Sequence, residues 1–472
     1  MAWVYPAERE REQVGISSKI YALWVRRKRK AIPATTMIAL VFAAIIFVGA
    51  GILSLPAASR NGQSCGFLPA LFTATSATCV TGLSLFDTWT QWSGLGQIVI
   101  MLLIQLGGLG FMSIASLVVF AFRRRVGLRQ RMVIAQTLNV NDMDAVVRLQ
   151  KLVLIGSFGI EAIGAVILTL RFWPMVGFRQ ALIWGVFHSV SAFCNAGFDI
   201  FGVLRAGGSL MAFQSDPVVL LTLSALIIIG GLGFFVWEEM VRLHCFRKFS
   251  VYTKLVLITT AALLLGGSIA FLALEWNNPQ TIGAMSFGDK ILNSFFQSVT
   301  TRTAGFASYD QAGLTDGGKG ITMILMLVGG SSGSTAGGIK TVTLMVLLLF
   351  LWTRARGRET VSVFKRTIPS GQVLDAMTIV GIMIMLAICG AVFISVTSPI
   401  GFTDSLYEAI SALATVGLTA GATGNLSVAS QILIIVYMYF GRVGILTISL
   451  GFLVGDKADT RLRYAQTNLL IG

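Results

Sequence analysis

Residues 72–83 read FTATSATCVTGL, and the same pattern returns three more times along the chain. The other copies are FHSVSAFCNAGF at 187–198, FQSVTTRTAGF at 296–306 and YEAISALATVGL at 407–418. Each copy lies between two apolar segments, and each is too short and too polar to cross a bilayer. The repeat therefore predicts four units, each made of a helix, a re-entrant half-helix, a glycine-containing turn and a second helix.

The composition is that of a membrane protein. Of the 472 residues, 55% are hydrophobic and 12% are charged, whereas a soluble domain carries about a quarter charged residues. We expect an all-α polytopic membrane protein whose four repeats surround a quasi-four-fold central pore. Eight apolar spans are predicted, at approximately 34–56, 93–122, 150–172, 217–243, 252–275, 320–353, 376–398 and 428–454.

The domain organisation follows from these spans. The first apolar run is long enough to cross the bilayer and lacks a convincing cleavage site, so it is predicted to be a retained helix and not a secretory signal. The predicted parts are a basic N-terminus at 1–33, repeat 1 at 34–122, repeat 2 at 150–243, repeat 3 at 252–353, repeat 4 at 376–454 and a C-terminal tail at 455–472.

The net charge of +15 comes from 36 Lys and Arg against 21 Asp and Glu. The basic clusters fall mainly in segments that the spans put on one side, such as 26–30, 123–125, 247–248 and 354–358. By the positive-inside rule, that side and both termini are predicted to be cytoplasmic. The charge thus reflects topology, and no nucleic-acid partner is expected.

The sequence carries no sign of catalysis. It shows neither a phosphate-binding loop nor a dinucleotide fingerprint, so we expect no enzyme activity and no cofactor in this chain. The five cysteines are scattered and the two histidines, His188 and His244, are too few to indicate a metal site. We expect the cysteines to act as small apolar filler.

The four turns have the chemistry of a cation filter. A dehydrated cation needs oxygens in place of its water, and rings of backbone carbonyls can supply them; the alternative is four ordinary polar hairpins. Arg302 is expected to anchor the scaffold and not to bind the ion, because it would repel a cation. The candidate filter residues are Thr78, Cys79, Val80, Thr81, Gly82, Phe193, Cys194, Asn195, Ala196, Gly197, Thr301, Arg302, Thr303, Ala304, Gly305, Leu413, Ala414, Thr415, Val416 and Gly417.

A second glycine cluster follows each turn in register, at 107–110, 230–233, 329–333 and 441–444. Close helix packing is the ordinary explanation of such glycines. In the third repeat, however, Gly and Ser fill 329–338 and disfavour a continuous helix. Irregular backbone at membrane depth must be buried in protein or line a wet cavity. We therefore place this segment just below the filter, on the cytoplasmic side.

Charged residues inside the spans are candidate functional groups. Arg442 takes the register position of Gly108, Gly231 and Gly330, which puts it at the depth of 329–338; a helix-packing role is the alternative. Lys340 follows the segment and is a candidate cap for it. Glu161 is expected to be a structural hydrogen-bonding residue and not a proton relay.

The stretch GGSSGSTAGGIKT at 329–341, together with the four turns, resembles the Trk/Ktr/HKT superfamily of potassium transporters, and most closely its bacterial KtrB branch. The resemblance covers nearly the whole chain, without the extra N-terminal helix pair of TrkH-type members. It implies that the segment is an intramembrane gating loop which Arg442 contacts, opposing cation passage. The implied gate residues are Gly329, Gly330, Ser331, Ser332, Gly333, Ser334, Thr335, Ala336, Gly337, Gly338, Lys340 and Arg442.

The resemblance also implies the function and the partners. Glycine in all four turns matches potassium-selective members, so we expect potassium uptake across a bacterial inner membrane. It implies a homodimer embedded in lipid and docked on a cytoplasmic, KtrA-like ring that alone binds nucleotide. Transport of sodium, or sodium-coupled transport, is the alternative; a non-conducting receptor of the same fold is a third. The sequence leaves open whether the protein is a channel or a carrier.

Overall fold

The computed structural model describes residues 34–110 and 143–444, with the side chains of 34–37 and 143–150 left aside. The predicted N-terminus at 1–33, the basic cluster at 123–125 and the tail at 455–472 lie outside the described residues. So do 111–122 of repeat 1 and 445–454 of repeat 4.

Within residues 34–110 and 143–243, the first two repeats contain eight helices. The described helices are α1 (Ala34–Leu53), α2 (Phe67–Thr78), the short α3 (Thr88–Gln91), α4 (Gly94–Leu109), α5 (Met143–Val176), α6 (Phe178–Phe193), α7 (Pro217–Leu232) and α8 (Phe234–Leu243). Single turns of 3₁₀-helix occur at Pro56–Ala58, Met211–Phe213 and Phe246–Lys248.

The third and fourth repeats follow the same order. Their helices are α9 (Val251–Glu275), α10 (Phe287–Thr300), α11 (Asp316–Leu327), α12 (Thr341–Ala355), α13 (Ser370–Thr397), α14 (Phe402–Leu413) and α15 (Val428–Tyr439). A 3₁₀ turn spans Thr423–Asn425, and a π-helical turn, Phe440–Gly444, continues α15. A two-stranded antiparallel hairpin, β1 (Ser362–Val363) and β2 (Arg366–Thr367), joins the two repeats.

In every repeat, a helix that follows the glycine-containing turn begins with the same kind of cap; these helices are α4, α7, α11 and α15. In each case a side-chain oxygen accepts a hydrogen bond from a backbone N–H of the first turn, which would otherwise lack a partner. The capping residues are Ser93, Asp216, Thr315 and Ser427. The recurrence of this cap shows that the repeats are alike in local structure as well as in sequence.

Two of the predicted spans are broken. The segment predicted as one helix at 217–243 is instead two helices, α7 and α8, that meet at an angle of 94°. Gly233, with φ +94°, lies at the break, and only glycine adopts such an angle without strain. The interruption predicted in 320–353 is present: α11 ends at Leu327 and α12 begins at Thr341. The non-helical segment is thus slightly longer than the predicted 329–338.

The outer surface of the helices is apolar. Ile155 is 74% exposed, Leu265 62% and Val396 80%, as expected of side chains that face lipid tails. Within residues 34–110 and 143–444, α5, α9 and α13 are individually long and apolar enough to span a bilayer, and α7 with α8 passes the same test as a bent pair. The chain is mostly helical, as predicted.

Candidate functional site

Four short helices end at the predicted turns. The helices α2, α6, α10 and α14 contain 12, 16, 14 and 12 residues, so each is only about 18–24 Å long. A bilayer core is about 30 Å thick, which such helices do not cross upright. The carbonyl end of a helix carries partial negative charge, and all four helices direct that end at a turn.

Positive φ angles alternate with ordinary ones inside each turn. The residue two before the glycine has φ between +52° and +67°; these residues are Val80, Asn195, Thr303 and Thr415. The glycine itself has φ between +66° and +97° in Gly82, Gly197, Gly305 and Gly417. Positive φ is uncommon and costly outside glycine. Its recurrence at one position of every repeat indicates that the fold maintains this backbone shape.

The four turns meet in a closed ring. A Cβ atom built on Gly82 would lie 2.5 Å from the carbonyl oxygen of Ala196, in the second turn. Each further glycine faces the next turn in the same way: Gly197 faces Ala304 O at 2.6 Å, Gly305 faces Val416 O at 2.5 Å, and Gly417 faces Thr81 O at 2.1 Å. The last contact returns to the first turn. Four backbone carbonyls and four glycines therefore surround one axis.

Polar side chains of the short helices hold the segments that leave the ring. His188 accepts the N–H of Ile200 at Nε2 (3.2 Å), while its Nδ1 lies 2.7 Å from the Trp184 carbonyl. At the equivalent positions, Gln297 donates to Gln311 at 2.6 Å and Glu408 accepts from Thr423 at 2.9 Å. These contacts fix the chain just beyond the second, third and fourth turns. His188 thus forms structural hydrogen bonds that the sequence alone did not predict.

The non-helical segment 328–340 packs into the break of the second repeat. The Ser331 N–H donates to the Gly231 carbonyl at 3.0 Å, and the Phe234 N–H donates to the Gly333 carbonyl at 2.9 Å. The Tyr252 hydroxyl also donates to the Ser332 carbonyl at 2.9 Å. The backbone groups left free where α7 and α8 separate are thus bonded to the segment, as the low-dielectric interior requires.

The same segment lies directly against the turns. The Thr335 hydroxyl donates to the carbonyl of Phe193 at 3.1 Å. A Cβ atom built on Gly337 would lie 2.0 Å from Oγ1 of Thr415. The segment therefore touches the second and fourth turns at once and crosses the space on one side of the ring. The register of the glycine clusters predicts this position.

Arg442 reaches the same space from the fourth repeat. Its guanidinium donates to Thr335 O at 2.5 Å through Nη1, and to Gly107 O at 2.6 Å through Nη2. Gly108 O lies 3.3 Å from Nη2. The side chain is only 8% exposed, and its contacts join the fourth repeat to both the first repeat and the segment 328–340.

Two further cations lie beside the segment. The Lys340 ammonium donates to the carbonyls of Ala336 at 2.8 Å and Gly337 at 3.4 Å, which caps its own loop. Arg302, in the third turn, donates to the Gly329 carbonyl at 3.4 Å. The charged end of Arg302 is thus bonded to the loop, and its expected scaffold role stays a prediction.

Glu161 lies behind the second turn. Both of its carboxylate oxygens accept from Nε2 of Gln105 at 3.0 Å, and the Sγ atom of Cys194 is 3.9 Å from one of them. These contacts join the first two repeats beside the ring, and the structural role expected for Glu161 stays a prediction. In the described part of the chain, no group of His, Cys, Asp and Glu side chains forms a candidate metal site.

Sequence reasoning missed the residues that hold the ring from behind. Besides His188, Gln297 and Glu408, they include a hydroxyl residue four positions after the aromatic of each copy: Ser76, Ser191, Thr300 and Ser411. All four are fully buried. The signal that could have identified them is their constant offset from the aromatic residue.

Comparison with known proteins gives a consistent result over nearly the whole chain. Residues 16–460 match the family described as TrkH, cation transport protein. The chain is 40% identical over 452 residues to the potassium/sodium uptake protein NtpJ of Enterococcus hirae, covering 95% of this chain and 99% of the relative. It is 38% identical over 425 residues to the Ktr system potassium uptake protein B of Bacillus subtilis, covering 90% and 94%.

A solved structure has the same fold. The potassium transporter TrkH from Vibrio parahaemolyticus superimposes with a TM-score of 0.70 at 17% sequence identity. The match covers 90% of this chain and 85% of the other.

Proposed function

Because the chain belongs to the TrkH family of cation transport proteins, we propose that it takes up potassium ions across the cell membrane through the ring of four turns. The resemblance found in the sequence is confirmed, and the family consists of multi-pass transporters and not enzymes. Relatives are named potassium/sodium uptake protein and Ktr system potassium uptake protein B, so potassium is the proposed substrate.

The observation that carries the proposal is the closed ring of glycines and carbonyls. Each glycine faces the carbonyl of the neighbouring turn with no room for a side chain, so the path along the axis is lined by backbone. Four carbonyl oxygens around one axis, with the negative ends of four helices behind them, can replace the water of a potassium ion. The filter residues are the four sets predicted, 78–82, 193–197, 301–305 and 413–417.

The segment 328–340 is the proposed gate. It lies against Phe193 and Thr415 of the filter turns, so an ion that leaves the ring on this side meets the loop. Arg442 both holds the loop through Thr335 O and adds a positive charge beside the path. Opening would then require the loop to give up its bonds to the α7–α8 break and to Arg442.

Regulation is proposed to come from a partner. Ktr system relatives are named as parts of a system, and the basic segments predicted to be cytoplasmic offer a face for a nucleotide-binding ring. We propose a homodimer in the lipid bilayer with both termini on the cytoplasmic side. No cofactor is proposed for this chain; potassium is its substrate.

Sodium transport is the second candidate, since one relative is named for both ions. The test is ion flux into proteoliposomes that contain the purified chain alone, with empty liposomes as control. Uptake of radioactive rubidium that potassium suppresses more strongly than equal sodium supports the proposal. Equal suppression by the two ions favours a sodium-permeable pathway. The absence of any ion flux, with or without a cytoplasmic partner, contradicts the proposed transport function.

A further inference from the structure

The hydroxyl residue behind each turn binds the filter backbone in two different ways. In all four repeats its own carbonyl accepts a backbone N–H of the turn; the acceptors are Ser76, Ser191, Thr300 and Ser411, at 2.8, 2.7, 3.0 and 2.8 Å. This shared bond holds every turn against its helix. The side-chain hydroxyl then forms a second bond, and its direction divides the repeats into two pairs.

In the first and fourth repeats the hydroxyl accepts. The N–H of Gly82 donates to Oγ of Ser76 at 3.1 Å, and the N–H of Gly417 donates to Oγ of Ser411 at 3.1 Å. A trans peptide is planar, with its C=O and N–H pointing in opposite directions. A bond that draws the Gly82 N–H back to the helix therefore points the Thr81 carbonyl at the axis.

In the second and third repeats the hydroxyl donates instead. Ser191 Oγ bonds to the carbonyl of Phe198 at 2.7 Å, and Thr300 Oγ1 bonds to the carbonyl of Phe306 at 2.7 Å. These carbonyls belong to the residue after the glycine, so the hydroxyl fixes the peptide that leaves the ring. The sequence shows the same division, since Leu follows the glycine in repeats 1 and 4 and Phe in repeats 2 and 3.

We infer that Ser76 and Ser411 are specificity-determining positioning residues, which hold the Thr81 and Val416 carbonyls in the geometry that favours potassium over sodium. The inference rests on the proposed function. It makes the filter unequal: the hydroxyls of repeats 1 and 4 orient ring carbonyls, and those of repeats 2 and 3 anchor the chain beyond the ring. Selectivity by carbonyls depends on their number, distance and field, so a peptide free to rotate weakens it.

The test compares alanine variants of the two pairs. Ser76→Ala and Ser411→Ala should each lower the potassium-to-sodium preference about tenfold, which corresponds to about 1.4 kcal/mol. Ser191→Ala and Thr300→Val should change the flux of both ions together and keep the preference within about twofold. Ser268→Ala is the matched control, because among the described residues its hydroxyl bonds only to the Leu264 carbonyl of its own helix.

The measurement is initial rubidium uptake into proteoliposomes, with half-inhibition by potassium and by sodium determined at equal protein. If either alanine variant of the first pair does not fold, Ser76→Cys or Ser411→Cys takes its place. The cysteine side chain fills nearly the same space as serine but is only a weak acceptor. An unchanged preference in both first-pair variants overturns the inference, as does an equal loss in all four. A wild-type protein without flux would contradict the proposed function itself, which separates the two failures.

Discussion

The guanidinium of Arg442 donates to the backbone carbonyl of Thr335 at 2.5 Å, across 107 residues of sequence. The same guanidinium donates to Gly107 at 2.6 Å. One side chain of the fourth repeat thus connects the loop of the third repeat to α4 of the first repeat. Hydrogen bonds from charged donors contribute about 1.5–3 kcal/mol each. The Arg442 side chain therefore stabilises the position of the loop relative to α4.

Replacement of Arg442 should open the path in graded steps. Arg442→Lys keeps the charge but loses the planar fork of donors that reaches Thr335 and Gly107 together. Arg442→Gln loses the charge, and Arg442→Ala loses both charge and contact. We expect potassium flux to rise in the order Lys, Gln, Ala, measured as initial rubidium uptake at equal membrane protein. Wild-type rates in all three variants would reduce Arg442 to a packing residue.

Substitution of a ring glycine should damage the filter. A Cβ atom on Gly417 would lie 2.1 Å from Thr81 O, and the φ of +96° adds a cost of about 1–2 kcal/mol for any other residue. Gly417→Ser is expected to weaken discrimination against sodium or to abolish potassium uptake. The control is Gly381→Ala on α13, where an added Cβ atom would meet no other group of the described residues within 4 Å. Growth on limiting potassium with wild-type selectivity in Ser variants of all four ring glycines would contradict the filter.

The repeat made much of this site predictable. The register of the glycine clusters puts Arg442 at the position equivalent to Gly108 and therefore at the same depth, and the structure has the guanidinium 3.3 Å from the Gly108 carbonyl. Such an inference needs only that repeats with one pattern share one local geometry. The same reasoning predicts the turns and the interrupted helix of the third repeat.

The remaining features depend on contacts that a pattern does not contain. The bend at Gly233 requires the segment 328–340 as a partner for the freed backbone groups, and that segment is about a hundred residues further along. A glycine in an apolar run is equally compatible with a straight, closely packed helix. The opposite roles of the Ser76 and Ser191 hydroxyls are likewise invisible, since one residue type either donates or accepts as the nearby peptide dictates.

Loss of the Thr335 hydroxyl should loosen the loop without any change in charge. Thr335→Val removes the bond to the Phe193 carbonyl and leaves that buried acceptor without this donor, at a cost of about 1–3 kcal/mol. We expect higher potassium flux with the selectivity kept, because the four glycines of the ring and the carbonyls that they face, which belong to Thr81, Ala196, Ala304 and Val416, are unchanged. The control is Ser332→Ala, whose side chain is exposed. Flux that falls in a stable Thr335→Val protein would indicate that the loop helps to bind the ion.

Gly233 connects the bend of the second repeat to the position of the loop. A Cβ atom here would lie 2.9 Å from the Ser332 carbonyl, and the adjacent Phe234 N–H donates to Gly333 at 2.9 Å. Gly233→Ala must therefore either distort the bend or push the loop away at Ser332. Positive φ alone costs about 1–2 kcal/mol, so the melting temperature of the purified protein should fall.

If the loop moves, potassium flux through Gly233→Ala should rise as it does in Thr335→Val. If only the bend is distorted, stability falls while the flux per folded molecule stays at the wild-type value. Gly266→Ala on α9 is the control, since an added Cβ atom there meets no other group of the described part of the chain within 4 Å. Alanine also favours a helix over glycine by about 1 kcal/mol. Combination of Gly233→Ala with Thr335→Val then tests the coupling. Both residues act on one loop, so the double variant should conduct less than the product of the two single increases predicts. If the flux increase of the double variant equals the product of the two single increases, the α7–α8 break and the filter hold separate parts of the segment.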